Sequence, residues 1–199
     1  MPREIEFHFD FSSPYAYLAS TRIDAVAAKH GCTVRWRPML LGVLYKSTGY
    51  HPLEQREKGR YMLHDVARCA RLYGVPFALP SSFPESLLAA SRAVYWIADQ
   101  DPAMLTGFVH AAFAAYWAEG RKLADPEIVA ELAASEGFDK PAVLAALGDP
   151  VVKDRLRRET EAAIAAGVFG SPYMVVDGES FWGNDRVEML DRWLATGGW

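Results

Sequence analysis

Cysteine is scarce in this chain of 199 residues: there are two, Cys32 and Cys69. Two thiols that far apart give no disulfide framework, no CxxC redox motif and no zinc-ligand spacing. The five histidines (8, 30, 51, 64 and 110) show no HxxxH or HxH pattern, so no metal site is expected. No apolar run approaches the roughly 18 residues that would span a membrane. The start, MPREIEFHFD, is charged by its third residue and has no apolar segment before a small-residue cleavage site. A secretory signal is therefore not expected, and a cytoplasmic location is. Positive charge is not in excess either. Lys and Arg number 21 against 25 Asp and Glu, for a net charge of −4 and a pI of about 5.7. That lacks the basic footprint of a nucleic-acid binder. Repeats and low-complexity segments are absent too.

What is present is an ordinary globular composition, 51% hydrophobic and 23% charged. The length suits one domain, or one domain with a large insertion. Residues 4–9 (EIEFHF) alternate, with Ile5, Phe7 and Phe9 on one face and His8 pointing outward, which predicts a strand. Ser13-Pro14 then opens a helix, a Ser N-cap with Pro at the first helical position. Tyr17, Leu18, Ile23 and Val26 supply its buried side, and Gly31 ends it. TVRWR (33–37) alternates again, completing a βαβ pattern.

Residues 55–165 read as almost wholly helical, most clearly at 104–117, where Leu105, Phe108, Val109, Ala112, Phe113, Tyr116 and Trp117 recur at helical spacing. These aromatics read as core. Asp101-Pro102, Asp125-Pro126 and Asp149-Pro150 each pair an Asp cap with a following Pro and cut the middle into short helices. Arg155, Arg157 and Arg158, followed by Glu159 and Glu161, read as a solvated face with i,i+4 pairs. At the end, YMVV and ESFW predict two strands around a turn. Asn184–Thr196 predicts a last helix, with Val187, Leu190 and Leu194 inward. The expected fold is α/β: a thioredoxin-like βαβ…ββα domain (residues 1–50 and 167–199) carrying an inserted all-helical domain (51–166).

Three motifs bear on chemistry, and each has a plain structural alternative. Ser12-Ser13-Pro14 is a capped helix start. The same geometry stabilises a thiolate, because a helix N-terminus carries about half a positive charge and unpaired N–H groups. The protein has serine rather than cysteine there, so a thiolate at this place must come with a ligand. Gly170-Ser171-Pro172-Tyr173 is either a turn or a cis-proline loop that leaves the Ser171 backbone open to an extended peptide ligand. Trp182-Gly183-Asn184-Asp185-Arg186 caps the last helix, or forms a carboxylate site at its start in which Asp185 also receives an ammonium group. A thioredoxin-like fold gathers all three, and glutathione has the thiol, peptide backbone, ammonium and carboxylates to match them.

FHFDFSSPYAYLAS, RLYGVPF, GVFGSPYMVVDGESFWGNDR and EMLDRWL resemble the 2-hydroxychromene-2-carboxylate isomerases, which belong with the kappa-class glutathione transferases. The resemblance runs over essentially the whole chain. It implies a dimeric, glutathione-dependent enzyme of aromatic hydrocarbon catabolism. In such an enzyme the thiolate adds reversibly to the substrate, the ring opens, a double bond becomes single and rotates, and the thiol leaves. Carried over by motif, Ser13 is the catalytic residue that holds the thiolate. Ser171, before Pro172, pairs with the cysteinyl unit. Trp182, Gly183, Asn184 and Asp185 hold the γ-glutamyl end, and Lys58 lies near a glutathione carboxylate. Lys46 and Phe83 match positions lining the pocket for a small aromatic substrate. The chain departs from the family at Ser86, where Asn is frequent, and along residues 46–57.

The rival readings are a conjugating glutathione transferase, a thiol–disulfide oxidoreductase and a non-catalytic binding protein of the same fold. Cys32 and Cys69 read as small buried hydrophobes. Insulin disulfides are therefore expected to be reduced at no more than the background rate, which a turbidity assay with a dithiol reductant checks.

Overall fold

The computed structural model describes residues 3–49 and 52–199. The sheet begins with β1 (Glu4–Phe9), which pairs in parallel with β2 (Thr33–Pro38) across the helix α1 (Pro14–Lys29). β3 (Tyr173–Val176) joins the other side of β1 antiparallel, and β4 (Glu179–Trp182) closes a hairpin with β3. The strand order is β2-β1-β3-β4. Ser13 caps α1, its side chain accepting from Ala16 N–H at 3.2 Å, as its place before Pro14 predicts.

Between β2 and β3 lie seven helices among the described residues: α2 (Leu41–Thr48), α3 (Arg56–Tyr73), α4 (Leu88–Gln100), α5 (Leu105–Trp117), α6 (Pro126–Ser135), α7 (Lys140–Gly148) and α8 (Pro150–Ala165). The chain ends in α9 (Val187–Thr196), entered through a 3-10 turn, Asn184–Arg186. Asp125 and Asp149 cap α6 and α8 with proline in the first turn, and Asp101 caps a 3-10 turn ahead of α5. Asp139 does the same for α7 through Asp-Lys-Pro, a spacing that the Asp-Pro pattern passes over. The expectation of nearly continuous helix fails at 74–87. Gly74 ends α3 at φ 67°, and Pro76, Pro80 and Pro84 each lack the N–H that a helix interior needs. The expected boundary between residues 50 and 51 lies outside the described residues.

Ile5, Phe7 and Phe9 are fully buried on one face of the sheet, in one core cluster with Phe11, Trp36 and, from α5, Phe108 and Phe113. Phe9, Phe11 and Phe113 meet at ring-centroid distances of 4.7–5.4 Å, the range of favourable aromatic pairs. Cys32 is buried in this cluster and Cys69 packs half-buried against it. Among the described residues no helix is long and apolar enough to cross a membrane.

The opposite face corrects the alternation argument. His8 does not point into solvent: it is 6% exposed, because α8 covers this side of the sheet. Glu6 and Glu159 flank Arg37 there at 3.1 and 2.9 Å, and His8 Nε2 lies 3.3 Å from Glu6. The basic cluster of α8 is thus only partly a solvated face. Arg157 pairs with Glu161, and Arg158 with Asp154. Glu159, however, reaches the sheet, and Arg155 pairs with Asp99 and donates to the Tyr95 carbonyl.

Burial holds the His8 imidazole below its ordinary pKa, outweighing the attraction of Glu6. A group whose folded pKa is depressed contributes stability above its unfolded value, and that stability is lost as pH falls through the folded value. Stability is therefore expected to drop as pH falls from about 7.5 to below about 6.5. His8→Gln is expected to lessen that drop, which urea midpoints measured across the range check.

Candidate functional site

Asp10, one residue beyond β1, is a carboxylate only 5% exposed. Its Oδ1 accepts from the Ser12 N–H at 2.9 Å and the Ser12 hydroxyl at 2.8 Å, and its Oδ2 accepts from the Leu41 N–H at 2.8 Å. Its own N–H donates to Ser171 Oγ at 2.9 Å, and its carbonyl accepts from the Ser13 N–H at 2.9 Å. One residue thus joins the end of β1, the entry to α1, the start of α2 and the loop before β3. Burial raises the Asp10 pKa, opposed by the bonds from Ser12 and Leu41.

These bonds set two serines face to face. The Ser13 hydroxyl donates to the Ser171 carbonyl at 2.8 Å while accepting from Ala16 N–H. The Ser171–Pro172 peptide bond is cis, as is Phe83–Pro84. The Ser171 carbonyl is therefore not open, as the loop motif suggested, but occupied by the very hydroxyl that faces it.

Ser13 and Ser171 line a cavity of about 850 Å³. α2 contributes Leu44, Tyr45 and Thr48, α3 contributes Lys58, Tyr61 and Met62, and the proline-rich coil contributes Phe83, Glu85 and Ser86. Phe169 and Trp182 form an aromatic rim, with ring centroids 4.9 Å apart. Gly170 is required beside them, since a Cβ there would come within 2.2 Å of Trp182 Nε1. Tyr15 is fixed at the α1 entry by donating to Asp65 at 2.7 Å, and burial together with Asp65 pushes its pKa up.

Of the residues singled out in the sequence, Ser13, Ser171, Trp182, Lys58 and Phe83 come together on this cavity. Lys46, Pro172, Gly183, Asn184 and Asp185 do not line it. Lys46 is exposed on α2, whose neighbouring positions Leu44, Tyr45 and Thr48 face the cavity instead. Pro172 has a bracing part: its carbonyl accepts from Gly183 N–H at 3.0 Å. Gly183 has φ 107° and stands so close to Asp185 that a Cβ would meet its Oδ1 at 2.6 Å. Asn184 is 3% exposed and turned inward, its carbonyl and Oδ1 both accepting from Arg22 Nη2 at 2.7 Å. Arg22 itself stacks 3.8 Å from the Tyr73 ring centroid and pairs with Glu188. Asn184 is thus an internal brace, while Asp185 is exposed and bonded to Arg186 at 2.7 Å.

Sequence reasoning passed over Asp10, Tyr61 and Glu85. The signal for Asp10 was a lone carboxylate among FHFDF, directly before the serine pair. Tyr61 and Glu85 carried none, because a helix and a coil far apart in sequence bring them here.

A model of the DsbA-like thioredoxin domain matches residues 4–195. The chain is 33% identical to a 2-hydroxychromene-2-carboxylate isomerase of Sphingobium xenophagum, over 98% of this chain and 99% of that one. It belongs to the 2-hydroxychromene-2-carboxylate isomerase family, within the DsbA-like thioredoxin fold. A solved structure of a 2-hydroxychromene-2-carboxylate isomerase superposes with a TM-score of 0.87 at 29% identity, covering 96% of this chain and 94% of that one. Human glutathione S-transferase kappa 1 is 27% identical over 98% of this chain and 94% of its own length.

Removing the Asp10 carboxylate strands the donors of Ser12 and Leu41 in the interior. Asp10→Ala is expected to lower unfolding stability by about 3 kcal/mol, the scale for charged hydrogen bonds and orphaned buried donors. Asp10→Asn, which keeps one acceptor, is expected to lower it less. Urea denaturation of the two variants checks both.

Proposed function

We propose that this protein is a glutathione-dependent isomerase acting on 2-hydroxychromene-2-carboxylate or a close aromatic analogue, in the cytoplasm, as a homodimer, in aromatic hydrocarbon breakdown. The observation that carries this reading is the place of the Ser13 hydroxyl. It lies at the amino end of α1, opposite Ser171, on a cavity with largely aromatic and apolar walls.

The residues present fit glutathione. Ser13 and Ser171 offer a hydroxyl and a peptide edge for its cysteinyl unit, and the aromatic rim built on Gly170 closes one side. Lys58 lines the same space and suits a carboxylate. Gly183 and Asp185, braced by Arg22 through Asn184, are assigned to the γ-glutamyl end next to that rim. When bound, glutathione supplies a nucleophilic thiolate that this chain does not have. The work of the protein is to favour the ionised thiol. The Ser13 hydroxyl turns its proton from the Ser171 carbonyl to the sulfur, and the first turn of α1 contributes its positive end. The walls from Tyr45, Tyr61, Met62 and Phe83 hold the aromatic substrate beside it and exclude water. Residues 51–166 act in this reading as the inserted unit that supplies most of those walls, upon a thioredoxin-like frame of 1–50 and 167–199.

A second reading, conjugation of electrophiles with release of the adduct, is favoured by the similarity to kappa-class transferases and uses the same thiolate site. Parallel assays with a hydroxychromene carboxylate and a haloarene separate the two. Under either reading Ser13→Ala is expected to lower turnover about 10- to 100-fold, the value of one hydrogen bond to a charged group. It is also expected to raise the apparent thiol pKa of bound glutathione. A pH–rate profile unchanged by Ser13→Ala overturns this role.

A further inference from the structure

The substrate side of the cavity contains a carboxylate that holding glutathione leaves unused. Glu85 lines it, half-buried, in the coil that leads to α4. The Ser82 hydroxyl donates to Glu85 Oε1 at 2.5 Å. Among the described residues no cation is paired with the group. Behind it the Tyr116 hydroxyl is buried, and burial together with the Glu85 charge pushes its pKa up. A half-buried carboxylate without a cation gains little stability from its place. One oxygen is fixed by Ser82 while the carboxylate lines the cavity, an arrangement that suits a group exchanging a proton with a ligand.

We propose that Glu85 is the acid–base catalyst of ring opening, a role that rests on the isomerase reading. In a 2-hydroxychromene-2-carboxylate, C2 is a hemiketal carbon that carries a hydroxyl, the ring oxygen and the carboxylate. Glu85 Oε2 takes the hydroxyl proton, and the electron pair of that O–H bond becomes the second C–O bond of a ketone. The bond from C2 to the ring oxygen breaks, and its pair stays on that oxygen as a phenolate. The proton on Glu85 then passes to the phenolate, giving the phenol and restoring the carboxylate. One C–O bond is exchanged for one C=O π bond, the proton moves from one oxygen to the other, and no oxidant or net proton is consumed. Both oxygens are attached to the same carbon, so a single carboxylate serves both transfers. Ring opening is thereby assigned to Glu85 and needs no thiol, while rotation of the opened chain belongs to the Ser13 side.

That separation gives a readout without glutathione. Wild-type protein with no glutathione is expected to speed opening of the hydroxychromene, followed by absorbance. Glu85→Gln keeps size and a partner for Ser82 but cannot carry the proton. It is expected to open the ring about 100-fold more slowly, the scale of general acid–base catalysis, and to abolish the solvent deuterium isotope effect on that step. Its glutathione affinity by calorimetry and its urea midpoint serve as controls for folding. Equal opening rates for wild type and a folded Glu85→Gln overturn the role of Glu85 and leave the isomerase reading standing. A wild type that neither opens nor isomerises the compound, with or without glutathione, overturns both.

Discussion

The site depends on a single buried carboxylate. Asp10 accepts from Ser12 and Leu41 and, through its own peptide group, holds Ser171 and Ser13. A covalent strap could have joined these segments, but the chain has no cysteines placed to form one. Three donors converge on this one buried carboxyl group, so the same convergence is reached without a disulfide. The order also runs outward: fixing Ser171 fixes the start of β3, and fixing Leu41 fixes α2, which forms one wall of the cavity.

The sheet behind this point is covered differently on its two sides. The face with Phe7 and Phe9 is a continuous aromatic core shared with α5. The face with Glu6, His8 and Arg37 lies under α8, whose Ala162 and Ala163, with Ala166 just past its end, leave a polar cavity of about 320 Å³. The helical segment between β2 and β3 therefore does two jobs. It completes the core on one face, and with α3 and the proline-rich coil it raises the walls of the site.

The sequence disclosed most where the backbone itself carries the signal. The Ser-Pro, Asp-Pro and strand-turn-strand patterns are local, and they foretold α1, the starts of α6 and α8, and the β3–β4 hairpin. His8 was misplaced because alternation reports that a strand has two faces but not what packs on the second one. The helical run breaks at 74–87 because three prolines there override the apolar spacing. Ser13, Ser171 and Trp182 were legible because their motifs sit at element ends. Glu85 and Tyr61 were not, since a cavity wall is made by tertiary packing and has no period in the chain.

On the proposed reading, a borrowed thiolate and the Asp10 carboxyl group share the site. A thiolate held at Ser13 would face the buried Asp10 carboxylate, and like charges at short range raise each other's pKa. The two are served by different helix starts. Leu40, at the N-cap of α2, makes no side-chain cap bond, and Asp10 takes its place by accepting from Leu41 N–H. The positive end of α2 thus serves Asp10, which on the proposed reading leaves the first turn of α1 for a bound sulfur. Serine at position 13 suits this division. On that reading a cysteine there would place the protein's own thiolate at the start of α1 and close the place to a borrowed one, whereas the Ser13 hydroxyl caps the helix, donates one proton and would leave the anion to the ligand.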